Sequence, residues 1–522
     1  MRILVFHGYL LDGTGSNVYN ARLAAALVAQ GHEVHLLSQD RHAERQPFVD
    51  AVGDWDSGGL RLRTLREPVR CTVYRPDIGG LLPVYVADRY EGIEARTFAE
   101  CSDEQVAAYV EANVAAVREL VERVAPDVAL ANHLVMGPAI LARALAGAVP
   151  YAVKVHGSAL EYTVKPQPDR FLSFAREGLE RANGVLVGSR HTAASLWRAL
   201  ADPRLEQRTR LGPPGVDVER FAPRSPAEAL AGVERLAARL QASEQQPGAV
   251  SEDDAFARDD RAAGLALASL RPGEDRLVAF VGKLIVSKGV DLLLAAWPLV
   301  LQQVPAARLV VVGFGAYREG FERLRSALAS GDLDAAREIA RAGRSLEDPA
   351  LEPAPLRHLL AFFDDLEGTE LDRYLAAAKE LEQRVVLSGR LDHEELAELL
   401  PACEAIVVPS TFPEAFGMVA AEAAACGVLP VSAAHSGLAE VSDALARSVP
   451  QELAGLLSFP VDDGAVRALA SRLGGWLRAD PKLRAAARGG LVEVVRERWS
   501  WDGVARGVIA AARGELDRLQ AP

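Results

Sequence analysis

CEAIVVPSTFPEAFGMVAAEAAACGVLP, running from Cys403 to Pro430, is the most informative stretch of the chain. The apolar run 405–408 reads as a buried strand. A turn rich in Pro and Thr follows, then Glu414-Ala-Phe-Gly417, then an alanine-rich helix that Gly427 and Pro430 are expected to close. Strand, loop and helix N-terminus in this order make an anion site at the carboxyl edge of a parallel sheet. Seven residues separate Glu414 from Glu422. On a single helix that spacing would hold the carboxylates ~12 Å apart. A glycosidase acid/base pair needs roughly 5 to 9.5 Å. The wider spacing suits gripping two ends of one long ligand with a diphosphate between them. Two solvated glutamates beside an ordinary helix would look the same, so the rest of the chain has to decide.

Outward from this stretch, strands and helices alternate. Residues 2–6 read as a strand, 12–16 as a tight loop, 18–30 as a helix ended by Gly31, and 33–38 as the next strand. This is a βαβ unit, which predicts a parallel doubly wound sheet. Further strands are expected at 128–131, 151–155 and 184–188, with a long helix over 105–124. The pattern restarts near Leu277, with strands at 277–281, 309–312, 385–387, 405–408 and 429–432. The fold class is α/β. Two doubly wound, Rossmann-like domains are expected, 1–212 and 213–501, with a last helix at about 502–522. Two segments exceed a minimal version. One is 226–272, with a polar centre at 243–260. The other is 320–380, where apolar residues recur often enough to predict a helical subdomain rather than a loop.

The 522 residues suffice for two large cores. A net charge of −13 argues against nucleic acid as a partner. The first 215 residues are near neutral, with 24 Lys+Arg against 25 Asp+Glu, which gives no strong polybasic membrane anchor. Arg61, Arg63, Arg66 and Arg70 read as a solvated face, with a lipid or phosphate patch as the alternative. Cys71, Cys101, Cys403 and Cys426 show neither metal spacing nor a disulfide framework. No apolar run is long enough to span a bilayer, and the expected location is the cytoplasm. Asp54-Trp55-Asp56 is formally a D-x-D metal motif, but it is expected in a Gly-rich loop before Gly58-Gly59 and reads as chance.

Several motifs fall in register with the opening stretch. Gly13-Thr-Gly15-Ser16 lies between a strand and a helix. His156-Gly157 ends a strand. Ser189 begins a helix and reads equally well as an N-cap. Gly212-Pro-Pro-Gly-Val-Asp217 precedes Phe221. Gly282-Lys283 and Lys288-Gly289 follow another strand, and the chain holds six Lys against 52 Arg. Gly313-Phe-Gly315 and Gly389-Arg390-Leu391 follow two more.

In this order the motifs resemble those of family 4 glycosyltransferases, which are retaining enzymes with the GT-B fold; the resemblance implies a ligand cleft between the two domains and a last helix, about 502–522, crossing back to the first. The resemblance covers nearly the whole chain outside the two insertions. It implies that Glu414 contacts the donor sugar and Glu422 the ribose hydroxyls, with the backbone of Phe416, Gly417 and Met418 facing the sugar and diphosphate. It implies that Lys283 and Lys288 hold the diphosphate, Lys283 standing where Arg is usual. Gly15, Ser16 and Gly282 would serve the phosphates, Arg390 and Leu391 the nucleobase, and His156 the transferred sugar. Pro214 stands where the family usually has Asn, and Phe314 where it usually has Asp. The implied enzyme is a hexosyltransferase needing no metal and no cofactor. Its donor is a nucleoside-diphosphate sugar, with UDP-glucose or a relative expected and GDP or ADP donors open. The acceptor hydroxyl is unidentified, whether on a small molecule, a glycan or a lipid-linked chain at a membrane periphery. A sugar-nucleotide epimerase, a phosphorylase or a non-catalytic scaffold are the alternatives.

Overall fold

The computed structural model describes residues 1–13, 15–56, 59–86, 93–243, 258–348, 350 and 352–522. Most of the polar stretch expected at 243–260 therefore lies outside the described residues, as does Gly58. The chain forms two compact units. One comprises Met1–Gly215 with Trp499–Pro522, the other the described residues from Val216 to Arg498.

The first unit is built on β1 (Arg2–Phe6), β2 (Glu33–Leu37), β3 (Ala51–Asp56), β4 (Gly59–Thr64), β5 (Cys71–Arg75), β6 (Leu81–Val84), β7 (Glu94–Thr97), β8 (Val128–Asn132), β9 (Tyr151–Val155), β10 (Gly184–Val187) and β11 (Thr209–Leu211). Nine of these make one sheet, ordered β11-β10-β9-β8-β1-β2-β5-β3-β4, and β6 pairs with β7 separately. Side chains alternate across it: Leu4 and Phe6 enter one core, Ile3 and Val5 the other. The helix Ser16–Ala29 packs with the returning helix Trp501–Arg513, whose Ala505, Val508 and Ala511 are buried in the second of these cores. The long helix begins at Asp103 because Ser102 and Gln105 form a capping box.

The residues around Asp54-Trp55-Asp56 form a strand, not a loop. β3 and β4 are an antiparallel hairpin, with Asp54 opposite Arg61. Gly53 is inside the strand because a Cβ there would meet Leu62 and Tyr74 side-chain atoms at 2.9 Å. Asp54 accepts from Arg75 Nε at 2.6 Å, and the Trp55 indole donates to Glu119 at 2.7 Å. Arg61 and Arg63 are exposed on β4.

The second unit carries β12 (Arg276–Val281), β13 (Ala307–Val312), β14 (Val385–Gly389), β15 (Ala405–Val408), β16 (Leu429–Ala433) and β17 (Ser458–Phe459). Their order is β14-β13-β12-β15-β16-β17, all parallel. Gly427 does end the preceding helix, at φ +73°, but Pro430 lies within β16 opposite Ile406. The helix-stop signal in Gly-Val-Leu-Pro was the glycine alone. The segment 226–272 supplies the helices Pro226–Gln241 and Asp260–Ala268, crossing closely at Gly264, where a Cβ would sit 2.7 Å from the Gln241 nitrogen. The segment 320–380 is helical, as its apolar residues require, but it is not a separate subdomain. Buried Tyr374 donates its hydroxyl to the Ala295 carbonyl, 3.0 Å away in the helix Val290–Gln303. Among the described residues, no helix is long and apolar enough to cross a membrane.

Candidate functional site

In an open parallel sheet, ligands bind where the strand order reverses, because adjacent strand-end loops leave in opposite directions there. In the second unit this point lies between β12 and β15. The loop after β12 carries Gly282, Lys283 and Lys288; the loop after β15 carries Ser410 and Glu414. Lys288 Nζ donates to Glu414 Oε1 across 126 residues of sequence. Ser410 Oγ donates to the same oxygen at 2.6 Å. The Glu414 backbone N–H donates to Ser436 Oγ at 2.9 Å, and Gly437 N–H to the Glu414 carbonyl at 2.9 Å. His435 braces this loop through Nε2 to the Ser410 carbonyl, 2.8 Å. Gly289 lets the two loops touch: its φ is +67°, and a Cβ would lie 2.0 Å from the Pro409 carbonyl oxygen. The Lys283 ammonium makes no hydrogen bond or ion pair among the described residues.

Glu414 precedes the helix Met418–Ala425, while Glu422 lies within it and is 3% exposed. His393 Nε2 donates to Glu422 Oε1 at 2.8 Å, and the Phe221 ring packs 4.9 Å from the His393 ring. A buried carboxylate costs free energy unless hydrogen-bonded, and His393 supplies that partner. Gly417 caps the helix, and a Cβ there would meet Leu438 Cδ2 at 2.7 Å. Phe416 is buried behind it. Arg390 reaches Asp392 Oδ1 at 2.8 Å, and Leu391 is buried. Gly282 follows β12 and donates to the Val312 carbonyl at 3.0 Å. The structure therefore gathers Lys288 and Glu414 in direct contact and sets Glu422 one helix turn beyond Met418.

In the first unit the reversal lies between β1 and β8. Here the loops carry neutral rings. His156 Nε2 lies 2.8 Å from Asn132 Oδ1, and Asn132 Nδ2 donates to the Phe6 carbonyl at 3.2 Å. This orientation makes Nε2 the protonated nitrogen and leaves Nδ1 as an acceptor. The His156 ring packs 5.0 Å from His133 and 4.9 Å from Tyr19. Burial, then the neighbouring His133, Lys154 and His7, pushes the His156 pKa well below 6.5. Burial lowers His7 to about 4, against hydrogen bonds to Asn17 and Leu10 that raise it. Lys154 is buried too, donates to the Gly212 carbonyl at 2.5 Å, and is lowered by burial to about 7. Gly15 caps the helix Ser16–Ala29 at φ +55°, and the Ser16 carbonyl accepts from Asn20 at 2.8 Å. Ser189 serves as an N-cap, accepting from Thr192 N–H at 3.2 Å.

Sequence reading missed Ser410, His393, His7, His133 and Asn132. Only His393 had a local signal: it follows Asp392, whose capping box with Glu395 marks a helix start. Among the described residues, no group of three or more His, Cys, Asp or Glu could hold a metal ion.

Residues 359–473 match the family model of glycosyl transferases group 1, and residues 14–206 that of the glycosyl transferase 4-like domain. A D-inositol 3-phosphate glycosyltransferase of Segniliparus rotundus is 30% identical over 262 residues, 50% of this chain but only 44% of the relative. One from Xylanimonas cellulosilytica is 25% identical over 95% of this chain and 91% of its own length. Among solved structures, a sucrose-phosphate synthase from Thermosynechococcus elongatus superposes with a TM-score of 0.56 at 20% identity, covering 99% of both chains. Anabaena Alr3699/HepE in complex with UDP and glucose gives 0.53 at 17% identity, covering 98% and 99%. Parallel sheets in two units, the paired strand-end loops and these matches agree: the chain belongs to the family 4 type of glycosyltransferases and has the GT-B fold.

Proposed function

We propose that the chain is a retaining hexosyltransferase that moves glucose or a close relative from a UDP-sugar to an acceptor hydroxyl. The observation that carries this reading is the Lys288–Glu414 contact at the strand-order reversal, beside the N-terminus of Met418–Ala425. In this reading Lys283 and Lys288 face the diphosphate. Two compact ammonium groups stabilise the charge that grows on it as the bond to the sugar breaks, usually the largest catalytic contribution. The Gly417 and Met418 N–H groups add the positive end of the helix. Carboxylates only accept hydrogen bonds, so Glu414 suits sugar hydroxyls and Glu422 the ribose diol. Arg390 and Leu391 border the base. Gly15 and Ser16 offer backbone amides from the first unit. His156, a neutral ring with one donor and one acceptor, orients a sugar hydroxyl without adding charge.

No side chain of this set is a placed covalent nucleophile, which favours front-face displacement. The bond from the anomeric carbon to the diphosphate oxygen breaks with its electron pair going to that oxygen. The acceptor oxygen then bonds to the same face of an oxocarbenium-like centre, and its proton passes to the departing diphosphate. No step in this scheme calls for a metal or a cofactor.

The UDP complex of HepE supports a UDP donor, and the inositol-phosphate relatives place a phosphorylated polyol beside glycans and lipid-linked hydroxyls in an acceptor screen. The test is proton NMR of the product formed from a UDP-α-sugar. An α-linked product supports the proposal; a β-linked product overturns retention. Donor conversion to an isomeric sugar nucleotide without acceptor would make the enzyme an epimerase.

A further inference from the structure

The helical segment 320–380 does more than pack on the body of the second unit. At its midpoint the chain makes the short turn Arg344–Leu346, followed by Glu347. That turn is pinned in place. Gly343 has φ +53°, and a Cβ there would lie 1.9 Å from the Ala354 carbonyl oxygen. Leu356 N–H donates to the Ala340 carbonyl at 2.8 Å, closing the loop between its flanking helices. From this turn the Glu347 carboxylate accepts the backbone N–H of Val286.

Val286 opens the single helical turn Val286–Lys288. Its N–H points out of that turn, so no bond within the turn can satisfy it. The start of the loop is tied to the β13 end. Leu284 N–H donates to the Phe314 carbonyl at 2.7 Å, and Tyr317 N–H to the Leu284 carbonyl at 2.9 Å. The half that carries Lys288 has two ties: the Ser287 carbonyl, accepting from Thr411 N–H at 2.9 Å, holds it to the loop after β15, and Glu347 holds it to the insertion. The Glu347 side chain is only 13% exposed, with Arg344 Nε 3.7 Å from the other oxygen. Buried Asp291 and Tyr317 lie close enough to feel its charge: burial first, with Glu347 adding, raises Asp291 to about 7.

We infer that Glu347 is a positioning residue: the insertion exists in part to hold the Val286–Lys288 turn so that Lys288 is presented to the donor diphosphate. The inference rests on the diphosphate-site reading above. It is not an electrostatic contribution to binding, since a carboxylate beside a diphosphate is a like charge. It acts through geometry, and an amide oxygen can do the same.

The test is calorimetric titration of the full chain with UDP, in wild type, Glu347→Ala, Glu347→Gln, Lys288→Ala and the Lys288→Ala/Glu347→Ala double variant. Glu347→Ala is expected to weaken UDP about tenfold, and Glu347→Gln by less than about threefold. In the Lys288→Ala background Glu347→Ala should cost nothing more, because the residue it positions is gone. A general loss of stability would add in both backgrounds. Unchanged or tighter binding by Glu347→Ala, an equal loss in Glu347→Gln, or additive losses would overturn the inference. If Glu347→Ala does not fold, Glu347→Asp, which draws the carboxylate back by one methylene, must show the same weakening. Wild type that binds no nucleoside diphosphate would instead remove the site reading itself, and this inference with it.

Discussion

Lys288 and Glu414 keep 32% and 25% of their side chains exposed, whereas His7 and His133 keep 1% and 2% of their surface. Both groups sit where the strand order of a parallel sheet reverses, yet the second unit keeps charges half-open and the first keeps rings dry and neutral. The difference follows from dielectric. A half-exposed ion pair retains its charges at little cost and can exchange partners when a charged ligand arrives. A buried imidazole sheds its proton and becomes a hydrogen-bond director with a fixed donor side. One sheet edge is suited to meeting a diphosphate, the other to aligning hydroxyls.

The largest expected break comes at the charged edge. Lys288→Ala should lower donor turnover about 10²- to 10³-fold, measured as UDP release. A loss below tenfold would mean that the half-open charge is not aimed at the leaving group. His156→Ala should act more mildly, lowering kcat with little change in the shape of the pH profile, since burial already disfavours its charged form.

Gly289→Ala and Gly15→Ala sharpen the comparison in backbone terms. Both positions have positive φ, +67° and +55°. At Gly289 the new Cβ also collides with the Pro409 carbonyl at 2.0 Å, whereas at Gly15 nothing lies within 4 Å. Thermal unfolding should show a loss of about 3 kcal/mol for Gly289→Ala. Gly15→Ala should lose about 1 kcal/mol, from the backbone alone.

A pH titration separates the two edges without mutation. His7, His133 and His156 all have folded pKa values below 6.5, His7 at about 4. Below pH 6.5 the unfolded chain takes protons that the folded chain refuses, so the share of stability set by these histidines is full above 6.5 and falls as pH drops, His7's part levelling off near 4. Lys154, lowered from 10.5 to about 7, acts with the same sign higher up: stability rises from pH 7 to 10.5. Hydrogen exchange should show the acid loss in β1, β8 and β9 first. Equal acid loss in the sheet of the second unit would contradict this.

Much of this was legible in the sequence where a residue's partners are its own neighbours. Strand-loop-helix units and Gly417 at a helix start are local. So is the eight-residue step that puts Glu422 inside a helix and leaves Glu414 before it. What escaped depends on tertiary contact. His393 meets Glu422 from 29 residues away, and Glu347 meets Val286 from 61. Asp54-Trp55-Asp56 was taken for part of a loop because of Gly58 and Gly59, although Gly59 begins a strand. Pro430, read as a helix stop, is accommodated inside β16. His133 sits next to Asn132 with no periodicity to mark it, and only the meeting of β1 and β8 brings it within 5.8 Å of His7.

The most direct test of the central claim is calorimetric titration of the full chain with UDP, GDP and ADP, repeated with Lys288→Ala and Glu422→Ala. The account predicts selective micromolar binding of UDP, weakened in both variants. Binding that survives both substitutions, or no binding of any of these diphosphates, would contradict it.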